Sequence, residues 1–300
     1  MIEFKNILLA DKDLIQSFTL NTQCRNCDLS FANLCSWSFL YQTKYAVMND
    51  YLLLRFCMGE ELVYMMPVGK GDVKPVLDAL IEDAAAMGVK FRMLGICVGM
   101  RADLEAAMPG RFTFTADRDY FDYIYQRTEL ASLKGKKYQA KRNHINKFKK
   151  QYPDYEYKEL TPELVAECLK LEEEWCRVND CDEQLALEDE RKSMTYALNN
   201  MEALGLTGGV LHVNGKIAAF TYGAPINRET WDICVEKADT SIEGSYAMIN
   251  YEYANHIDGQ YIYINREEDL GLDGLRKAKL SYQPAILLEK CIAELNEHKG

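Results

Sequence analysis

Hydrophobic positions recur along the chain with two spacings, which predict helices and short strands in alternation. After Ser30, a residue favoured at helix N-caps, apolar residues three to four positions apart predict a helix as far as Tyr41. A longer helix is predicted from Asp72, another capping residue, to Met87, because Gly88 then ends it. Short apolar runs predict strands over 44–48, 51–58, 61–67, 91–98, 112–115 and 120–126.

The second half of the chain repeats this order of elements. Thr161 and Pro162 begin a helix predicted to run to about Val178, and another is predicted over 183–201. Asn214 and Gly215 join two strands, because this dipeptide is strongly favoured in two-residue hairpins. The remaining predictions are strands over 156–159, 207–213, 217–224, 231–236 and 261–264, and helices over 244–256 and 272–280.

The repeated order predicts an α+β protein made of two copies of one topology. Each copy is expected to hold a mixed, mostly antiparallel sheet flanked by helices. The predicted domains cover 1–132 and 133–300, and a basic helix begins the second. A chain of 300 residues is long enough for two such domains.

Composition narrows the classes of protein. No apolar run approaches the roughly 18 residues that a membrane-spanning helix needs. The first ten residues lack the apolar core of a secretory signal peptide, and Asp11 and Asp13 follow them. We therefore expect a cytoplasmic protein without a membrane-spanning segment. The net charge of -11 argues against a protein that coats nucleic acid with its whole surface.

The ten cysteines are scattered, and without a signal peptide they are expected to be free thiols packed as small hydrophobic residues. Cys24 and Cys27 form a CxxC pair, and Cys35 follows them. A structural zinc site needs four ligands at zinc spacings, and the sequence has no second such pair. No metal site is predicted.

The segment from Lys134 to Lys150 carries seven lysines, one arginine and no acidic residue. On a helix, Tyr138, Ile145 and Phe148 would share one stripe, with most of the basic side chains outside it. An amphipathic helix with a basic face suits a polyanion such as phosphate, pyrophosphate or an RNA backbone. The alternative is a solvated linker helix between two domains.

A polar cluster follows the predicted strand 261–264, and a helix with basic residues comes after it: Asn265, Arg266, Glu267, Glu268, Asp269, Arg276 and Lys279. Polar groups gathered at a strand end are typical of functional sites. One of the three carboxylates could take a proton from an amine nucleophile, and the helix cations could hold an anion. The alternative is a capped turn with surface ion pairs.

Gly244 and Ser245 begin a predicted helix, whose first backbone N–H groups could receive a phosphate. The neighbouring Glu243 would repel an anion, so the residues alone favour an ordinary helix start. Signatures of P-loop, dinucleotide-binding, zinc-protease and serine-hydrolase proteins (GxxxxGK[ST], GxGxxG, HExxH, GxSxG) are absent from the sequence.

Three segments together resemble the bacterial family named for the C-terminal domain of phosphatidylglycerol lysyltransferase (domain of unknown function 2156). They are Ser30-Phe-Ala-Asn-Leu-x-x-Trp37, Lys136-Lys-Tyr-x-x-Lys-Arg-Asn-x-Ile-Asn-Lys-Phe148 and Asn265-Arg-Glu-x-Asp-Leu-Gly-x-x-Gly-Leu-Arg-x-x-Lys-x-x-Tyr-x-Pro284. The resemblance covers nearly the whole chain. It implies two tandem GNAT-like acyltransferase domains, similar to the Fem-type aminoacyltransferases that use aminoacyl-tRNA.

The resemblance also implies roles for residues, which are expectations here. The donor phosphate would contact Lys136, Lys137, Lys141 and Arg142. Gly244 and Ser245, at the helix start described above, are further candidates for that contact. The substrate would be bound by Asn265, Arg266, Arg276 and Lys279. Glu267 or Asp269 would act as the base and Tyr282 as an acid.

Two features of such enzymes are missing. Coenzyme-A-dependent GNAT enzymes have a [QR]xxGx[GA] loop, and this chain has Ser241-Ile-Glu-Gly-Ser-Tyr246 at that place. The membrane-spanning part of the lipid lysyltransferases has no counterpart in this sequence.

The expected function is transfer of an acyl or aminoacyl group to an amine or hydroxyl acceptor. The donor would be a phosphate-containing co-substrate, aminoacyl-tRNA or acyl-coenzyme A, and no tightly bound cofactor is expected. Such an enzyme positions two substrates, supplies a base and stabilises an oxyanion, so it needs no covalent nucleophile. The alternative is a non-catalytic GNAT-like module that binds RNA or another polyanion through the basic helix.

Overall fold

The computed structural model of the chain describes residues 2–178 and 185–296. Within these ranges the strands are β1 (Lys5–Asn6), β2 (Lys44–Met48), β3 (Tyr51–Met58), β4 (Glu61–Met65), β5 (Val68–Gly69), β6 (Arg92–Cys97), β7 (Phe112–Ala116), β8 (Asp122–Gln126), β9 (Glu156–Glu159), β10 (Thr207–Val213), β11 (Lys216–Pro225), β12 (Thr230–Ala238), β13 (Tyr263–Asn265), β14 (Ile286–Leu288) and β15 (Lys290–Leu295). The α-helices are α1 (Lys12–Thr19), α2 (Phe31–Ser36), α3 (Ser38–Tyr41), α4 (Lys74–Ala86), α5 (Val98–Ala107), α6 (Arg127–Ser132), α7 (Gln139–Gln151), α8 (Val165–Val178), α9 (Leu185–Asn199), α10 (Met201–Leu204), α11 (Ser245–His256) and α12 (Asp273–Leu280).

The first sheet has the strand order β1-β2-β3-β4-β6-β15-β7, and β5 pairs with β3. β4 and β6 run parallel, and the other pairs are antiparallel. Successive side chains of β3 point to opposite faces, as a pleated strand requires. Leu52 and Leu54 therefore pack into a core shared with α1 and α2, whereas Leu53 packs into a second core beneath α4. Both faces of this sheet are buried.

The second sheet has the order β14-β8-β13-β12-β11-β10-β9. Only the β12–β13 pair is parallel among the pairs of this sheet that the structure describes. Helices α6, α7 and α11 cover one face, where Ile145, Phe148 and Met248 are buried. On the other face, Phe220 and Tyr222 pack with α8 and α9 and join the core that also contains Leu52 and Leu54. One hydrophobic core thus connects the two sheets.

The two sheets exchange strands across the predicted domain division at 132/133. β8 precedes that point but pairs with β13 and β14 in the second sheet. β15 lies far beyond it but pairs with β6 and β7 in the first sheet. The division stays a prediction about the sequence, and the exchange brings the start of β8 close to the start of β15.

The predicted α+β architecture with two mixed sheets flanked by helices is confirmed. The helix predicted over 30–41 is two short helices instead, because the backbone at Trp37 (φ −98, ψ 2) leaves the helical region. Strands β14 and β15 are additional to the predicted elements. Part of the predicted helix 183–201 lies outside the described residues.

Eight cysteines are free thiols, as expected: Cys24, Cys27, Cys35, Cys57, Cys97, Cys168, Cys234 and Cys291. The same expectation is wrong for Cys176, which is in a disulfide. Cys181 lies outside the described residues.

Among the described helices, none combines the length and the hydropathy that crossing a bilayer would require.

Candidate active site

A polar cluster lies where the two sheets meet. The loop before α2 contributes Asn26, Cys27 and Asp28, β8 begins with Asp122 and β15 begins with Lys290. The turn after β13 supplies the remaining groups, from Asn265 to Asp269. In the sheet register Asn265 lies opposite Asp232 of β12 on one side and Ile124 of β8 on the other.

Lys290 is the buried cation of this cluster. Its Nζ lies 2.8 Å from Asp122 Oδ1, 3.4 Å from Asp28 Oδ2 and 3.8 Å from Cys27 Sγ, and it donates a hydrogen bond to the carboxylate of Glu268. Burial alone would lower the pKa of Lys290, but the surrounding groups, Asp122 first, raise it well above its ordinary value. The ammonium group is therefore charged at every physiological pH.

Asn265 is an organising residue of the turn. Its Nδ2 donates to Asp122 Oδ2 over 2.7 Å and to the carbonyl of Arg25 over 2.7 Å, while its Oδ1 accepts from the backbone N–H of Glu267 over 2.7 Å. Glu267 has a φ of 54°, a left-handed conformation that side chains rarely adopt. Asn265 was predicted to bind substrate, and here its amide is used within the protein to hold this conformation.

Glu267 is the carboxylate of the turn that is poised for proton transfer. Asn33 Nδ2 donates to Glu267 Oε1 over 2.9 Å and to Asp232 Oδ2 over 3.0 Å, so the two acids share one amide group. Burial, and then the charge of Glu268, raise the pKa of Glu267 to about 8. A carboxylate with a pKa near neutrality suits general base catalysis.

Asp269 is placed differently from Glu267. Arg276 donates to it over 2.7 and 2.9 Å, Arg118 over 3.2 Å and the backbone N–H of Gly271 over 3.0 Å, and the hydroxyl of Tyr123 adds a further bond. Burial opposes ionisation, but these donors outweigh it and hold the pKa of Asp269 below its ordinary value. Its geometry is that of an anchor for Arg276 and Arg118.

Two further predicted substrate-binding residues make contacts within the protein. Arg276 joins Asp269 to Asp119, the latter over 2.6 Å. Lys279 is buried and its Nζ donates to the backbone carbonyls of Arg266 and Glu268. Burial lowers the pKa of Lys279. The two cations therefore fix the path of the turn that presents Glu267.

Arg266, Tyr282 and Lys141 form a separate cationic group beside the turn. Arg266 Nη2 pairs with Glu236 Oε1 over 3.0 Å, and its Cζ lies 4.9 Å from the ring centre of Tyr282. Lys141 Nζ lies 3.8 Å from the same ring, and burial followed by the charge of Arg266 lowers the pKa of Lys141 to about 8. Arg266 Nη1 is buried without a hydrogen-bond partner in the described part of the chain. Two cations with an unused donor favour an anionic ligand.

The other predicted phosphate contacts are dispersed. Lys136 and Lys137 are exposed, and Lys137 pairs with Glu129 over 2.8 Å. Arg142 turns back to the loop before α7 and donates to the carbonyls of Leu133 and Gly135, the second over 2.7 Å. Lys141 thus lies beside Arg266 and Tyr282, whereas Arg142 stabilises the loop before α7.

The predicted phosphate turn at Gly244 packs against α7. Gly244 has a φ of 89°, and a Cβ there would lie 3.2 Å from both the carbonyl oxygen of His144 and the Cβ of Phe148. The hydroxyl of Ser245 is buried and donates to the carbonyl of Asp239 over 3.0 Å. Helices α11 and α7 approach closely at this point, which explains why the residue is a glycine.

Several residues of the cluster were absent from the sequence prediction. Lys290, Asp122 and Asp232 are single charges at strand ends or within strands, and no spacing connects them in sequence. Asn33 lies inside the Ser30–Trp37 segment already noted for its resemblance, so that segment carried a signal for it. Asp122 and Lys290 become neighbours through the exchange of β8 and β15, whereas Asp232 reaches the turn through the pairing of β12 with β13.

Comparisons with solved structures place the whole fold among known proteins. A conserved protein of unknown function from Bacteroides thetaiotaomicron is 64% identical, with a TM-score of 0.97 over 99% of this chain and 100% of that one. L-PGS from Bacillus licheniformis is 17% identical, with a TM-score of 0.64 over 96% and 93% of the two chains. FemX is 10% identical, with a TM-score of 0.61 over 98% of each. The latter two show a shared fold.

A curated relative gives a narrower match. The uncharacterised protein MYCGA3080 from Mycoplasmoides gallisepticum is 24% identical over 175 residues, which are 58% of this chain and 56% of that protein. The match therefore spans a little over half of the length of that relative.

The family comparison covers nearly all of the molecule, including the turn after β13, Asn33 and Lys290. The family model described as "Phosphatidylglycerol lysyltransferase, C-terminal" matches residues 21–294. Apart from β1 and the last residue of β15, both sheets and the polar cluster between them lie within that match, and the resemblance noted in the sequence is confirmed. The chain therefore belongs to the family of the phosphatidylglycerol lysyltransferase C-terminal domain.

Proposed function

We propose that this protein is a transferase that moves an acyl or aminoacyl group from a phosphate-containing donor to an amine or hydroxyl acceptor. The observation that carries the proposal is the arrangement around the turn after β13. Glu267, a carboxylate with a pKa of about 8, directly follows Arg266, whose guanidinium keeps a buried and unused donor beside Lys141. A base and an anion-binding group are thereby held on adjacent residues.

The donor we favour is aminoacyl-tRNA. Lys141 belongs to the basic helix α7, and Lys134, Lys136 and Lys150 of the same basic segment are exposed. Several exposed cations besides Lys141 favour a donor with many phosphates over one with a single pyrophosphate. The Ser241–Tyr246 segment, which packs onto α7 through Gly244, further favours this donor over acyl-coenzyme A.

In the proposed reaction Glu267 accepts a proton from the acceptor as it attacks the carbonyl carbon of the donor. Asn33 and Asn265 hold the Glu267 side chain and backbone in place, which reduces the reorganisation needed at the moment of reaction. Burial raises the pKa of Tyr282, so its hydroxyl stays protonated at neutral pH. That state allows it to protonate the leaving oxygen, the role expected for it from the sequence.

A non-catalytic module that binds a polyanion is the competing function. The observation in its favour is that Arg142, Lys137 and Gly244, three of the predicted donor contacts, are engaged within the protein. Such a module would use the exposed face of α7 and would need no ionisable Glu267.

The test combines donor binding with turnover in two charge variants. Binding of charged tRNA, uncharged tRNA and acyl-coenzyme A would be measured at two salt concentrations, with Lys141→Glu as the binding variant and Lys216→Glu as an exposed control. If the protein is a transferase, its affinity for charged tRNA should exceed that for uncharged tRNA and should decrease with salt. Lys141→Glu should lower this affinity, and Lys216→Glu should leave it unchanged. The transferase function also predicts that Glu267→Gln binds the donor normally and forms product at least about 10²-fold more slowly than the wild type.

The binding module would be established by two results together. The wild type would bind charged and uncharged tRNA equally, and it would form no product under any condition. Saturable binding of acyl-coenzyme A with product formation would keep the transferase and change its donor.

A further inference from the structure

The polar cluster contains the same set of chemical groups twice. One cysteine and two carboxylates lie together in each case, with their Sγ and oxygen atoms all within 4.8 Å of one another. The first set is Cys27, Asp122 and Glu268, and the second is Cys234, Asp232 and Glu267. The two sets differ in whether a cation of the chain occupies them.

The first set is filled by an ammonium group. Lys290 Nζ contacts all three members, with 2.8 Å to Asp122, 3.8 Å to the sulfur of Cys27 and a hydrogen bond to Glu268. A primary ammonium has three N–H donors, which this set of acceptors satisfies. The first set therefore shows that a cysteine and two carboxylates in this geometry can bind an ammonium group.

The second set has no such partner. Neither Asp232 nor Glu267 forms an ion pair with any cation that the structure describes, and Asn33 Nδ2 is the amide that they share. Asp232 is fully buried, and its Oδ1 has no hydrogen-bond partner among the described residues. The charge of Lys279 reaches Glu267, but its ammonium donates to backbone carbonyls. A buried acceptor without a donor is costly unless a ligand supplies one.

The chemistry of the second set favours an ammonium over a metal ion. Burial and the charge of Asp232 raise the pKa of the Cys234 thiol well above its ordinary value, so the sulfur is protonated at neutral pH. A thiol is a weak metal ligand, since metals bind the thiolate. Burial, and then the charge of Glu267, raise the pKa of Asp232 well above its ordinary value, so without a bound cation Asp232 and Glu267 are mostly protonated at neutral pH. A bound ammonium favours the charged form of both acids, and the two carboxylates and the thiol then offer it the acceptors that surround Lys290. Glu267 and Cys234 are partly exposed, so a ligand can approach.

We propose that Asp232, Cys234 and Glu267 bind the primary ammonium group of the acceptor, so that this transferase acylates an amine rather than an alcohol. The proposal rests on the proposed function and selects one of its two acceptor classes. Lys290 in the first set is the internal example of the bound group.

The proposed step is balanced in atoms and charge. The acceptor enters as R–NH₃⁺ and loses one proton to the carboxylate of Glu267. Its nitrogen forms the new C–N bond with the donor carbonyl carbon, and the donor C–O bond breaks. Tyr282 gives its proton to the leaving oxygen and takes up the second proton of the nitrogen in exchange. An amide, a hydroxyl group and a protonated Glu267 result, and Glu267 then returns its proton to solvent.

Binding to the acceptor subsite can be tested without any donor. Saturation-transfer NMR on the intact chain would compare n-butylamine with n-butanol, which have the same carbon chain and differ in the head group. The amine is expected to bind, and the alcohol is not. Asp232→Asn should weaken amine binding at least about tenfold, because a charge-assisted hydrogen bond is lost. Glu188→Gln, an exposed carboxylate on α9, is the matched control and should bind as the wild type does.

Glu267→Gln provides a second variant in case Asp232→Asn fails to fold, and it should lose amine binding to a similar degree. Equal binding of amine and alcohol, or amine binding that neither variant changes, would overturn the proposal. So would stoichiometric zinc binding to the wild type that both variants abolish, because the cluster would then be a metal site.

Turnover separates this inference from the function on which it rests. If a donor is consumed with alcohols as readily as with amines, the transferase function stands and the amine subsite is wrong. If amine binding follows the expected pattern and no donor binds or reacts, the subsite stands and the transferase function is wrong.

Discussion

At the scale of single residues, the site is governed by how each carboxylate is partnered. Glu267 and Asp269 are two positions apart, yet one has its pKa raised to about 8 and the other has its pKa held below its ordinary value. Asp269 receives two arginines, a tyrosine hydroxyl and a backbone N–H, whereas Glu267 receives the shared amide of Asn33. Of these two carboxylates, Glu267 is the one whose pKa allows it to exchange a proton near neutral pH.

This difference predicts a pH dependence for the reaction. Because Glu267 must be ionised, kcat/KM should rise with pH through an inflection at its pKa of about 8. Above that pH it should fall, because Lys141, whose pKa is also about 8, loses the charge that binds the donor. The rising limb reports the ionisation of Glu267. Replacing Glu267 with Gln should lower kcat about 10²- to 10⁴-fold and remove this ionisation from the profile. Steady-state kinetics between pH 6 and 9 check both, and a profile that keeps its rising limb in the variant contradicts the assignment.

The raised pKa of Glu267 also predicts how the stability of the protein changes with pH. The change is opposite to that caused by a salt-bridged acid, whose pKa is lowered on folding. The pKa of Glu267 is higher in the folded state than in the unfolded chain, so folding binds a proton and stability falls as pH rises from about 4 to 8. Glu267→Gln should therefore have a higher Tm than the wild type at pH 8 and a similar Tm at pH 4. Thermal unfolding at the two pH values gives the comparison.

Substitution of Lys290 should destabilise the protein, in contrast to Glu267→Gln. Replacing Lys290 with Met would leave the buried Asp122 and the partly exposed Glu268 without their cation, at a cost of about 3–5 kcal/mol in the free energy of unfolding. Urea denaturation measures this, and Lys216→Met at an exposed hairpin position should change stability by less than about 0.5 kcal/mol. A small effect at both positions would mean that Lys290 is not the structural cation of the cluster.

At the scale of elements, the hydrophobic pattern predicted most of the structure. Strands β2, β3, β9 and β10 and helix α11 lie within one residue of the predicted bounds. For β2, β3 and β10 the reason is a run of mainly apolar residues next to turn residues. β14 and β15 were missed, since Glu289, Lys290 and Glu294 interrupt the apolar pattern after Pro284. Lys290 is buried through its carboxylate partners, which no pattern in the nearby sequence shows.

The candidate site was predictable only as a location. The polar residues gathered after β13 indicated where it lies, and in the structure Glu267 has a pKa near 8 there while Arg266 pairs with Glu236. Their separate roles depend on Asn33, Asp232 and Lys141, which come from other elements. A sequence without its fold could not distinguish the poised Glu267 from the anchored Asp269.

The packing of α11 on α7 gives a prediction at this scale. Gly244→Ala should destabilise the protein through both its positive φ and the contact with His144. Gly215→Ala is the matched control, because its φ is also positive (76°) but nothing lies within 4 Å of a Cβ there. Urea unfolding should show a larger loss at Gly244, by about 1 kcal/mol or more. Equal losses would show that the helix contact is loose.

At the scale of the whole molecule, the exchange of β8 and β15 binds the two sheets into one unit. β15 lies between β6 and β7, so it contributes two of the strand pairings of the first sheet. The shared core contains residues from both sheets, including Leu54 and Phe220. Although the sequence suggests two copies of one topology, the folded halves depend on each other.

Shortening the chain after residue 288 tests this dependence. Without β15 the first sheet separates between β6 and β7 and Asp122 loses its cation, so we expect loss of cooperative unfolding and of protection in both sheets. Hydrogen exchange monitored by mass spectrometry measures each sheet separately. A chain ending at Asn296 keeps β15 and serves as the control. Unchanged protection of the second sheet in the shorter chain would show that the sheets fold independently.

The position of β15 also sets the order in which the protein can become active during its synthesis. A ribosome releases β15 after every other strand described here, and Lys290 comes with it. Until then the first sheet is open between β6 and β7, and Asp122 and Glu268 face each other as uncompensated charges. A nascent or prematurely ended chain therefore lacks both the closed first sheet and the assembled turn after β13. Under the proposed function, such a chain would neither hold a donor in place nor consume it, and completion of the last strand would be the step that starts activity.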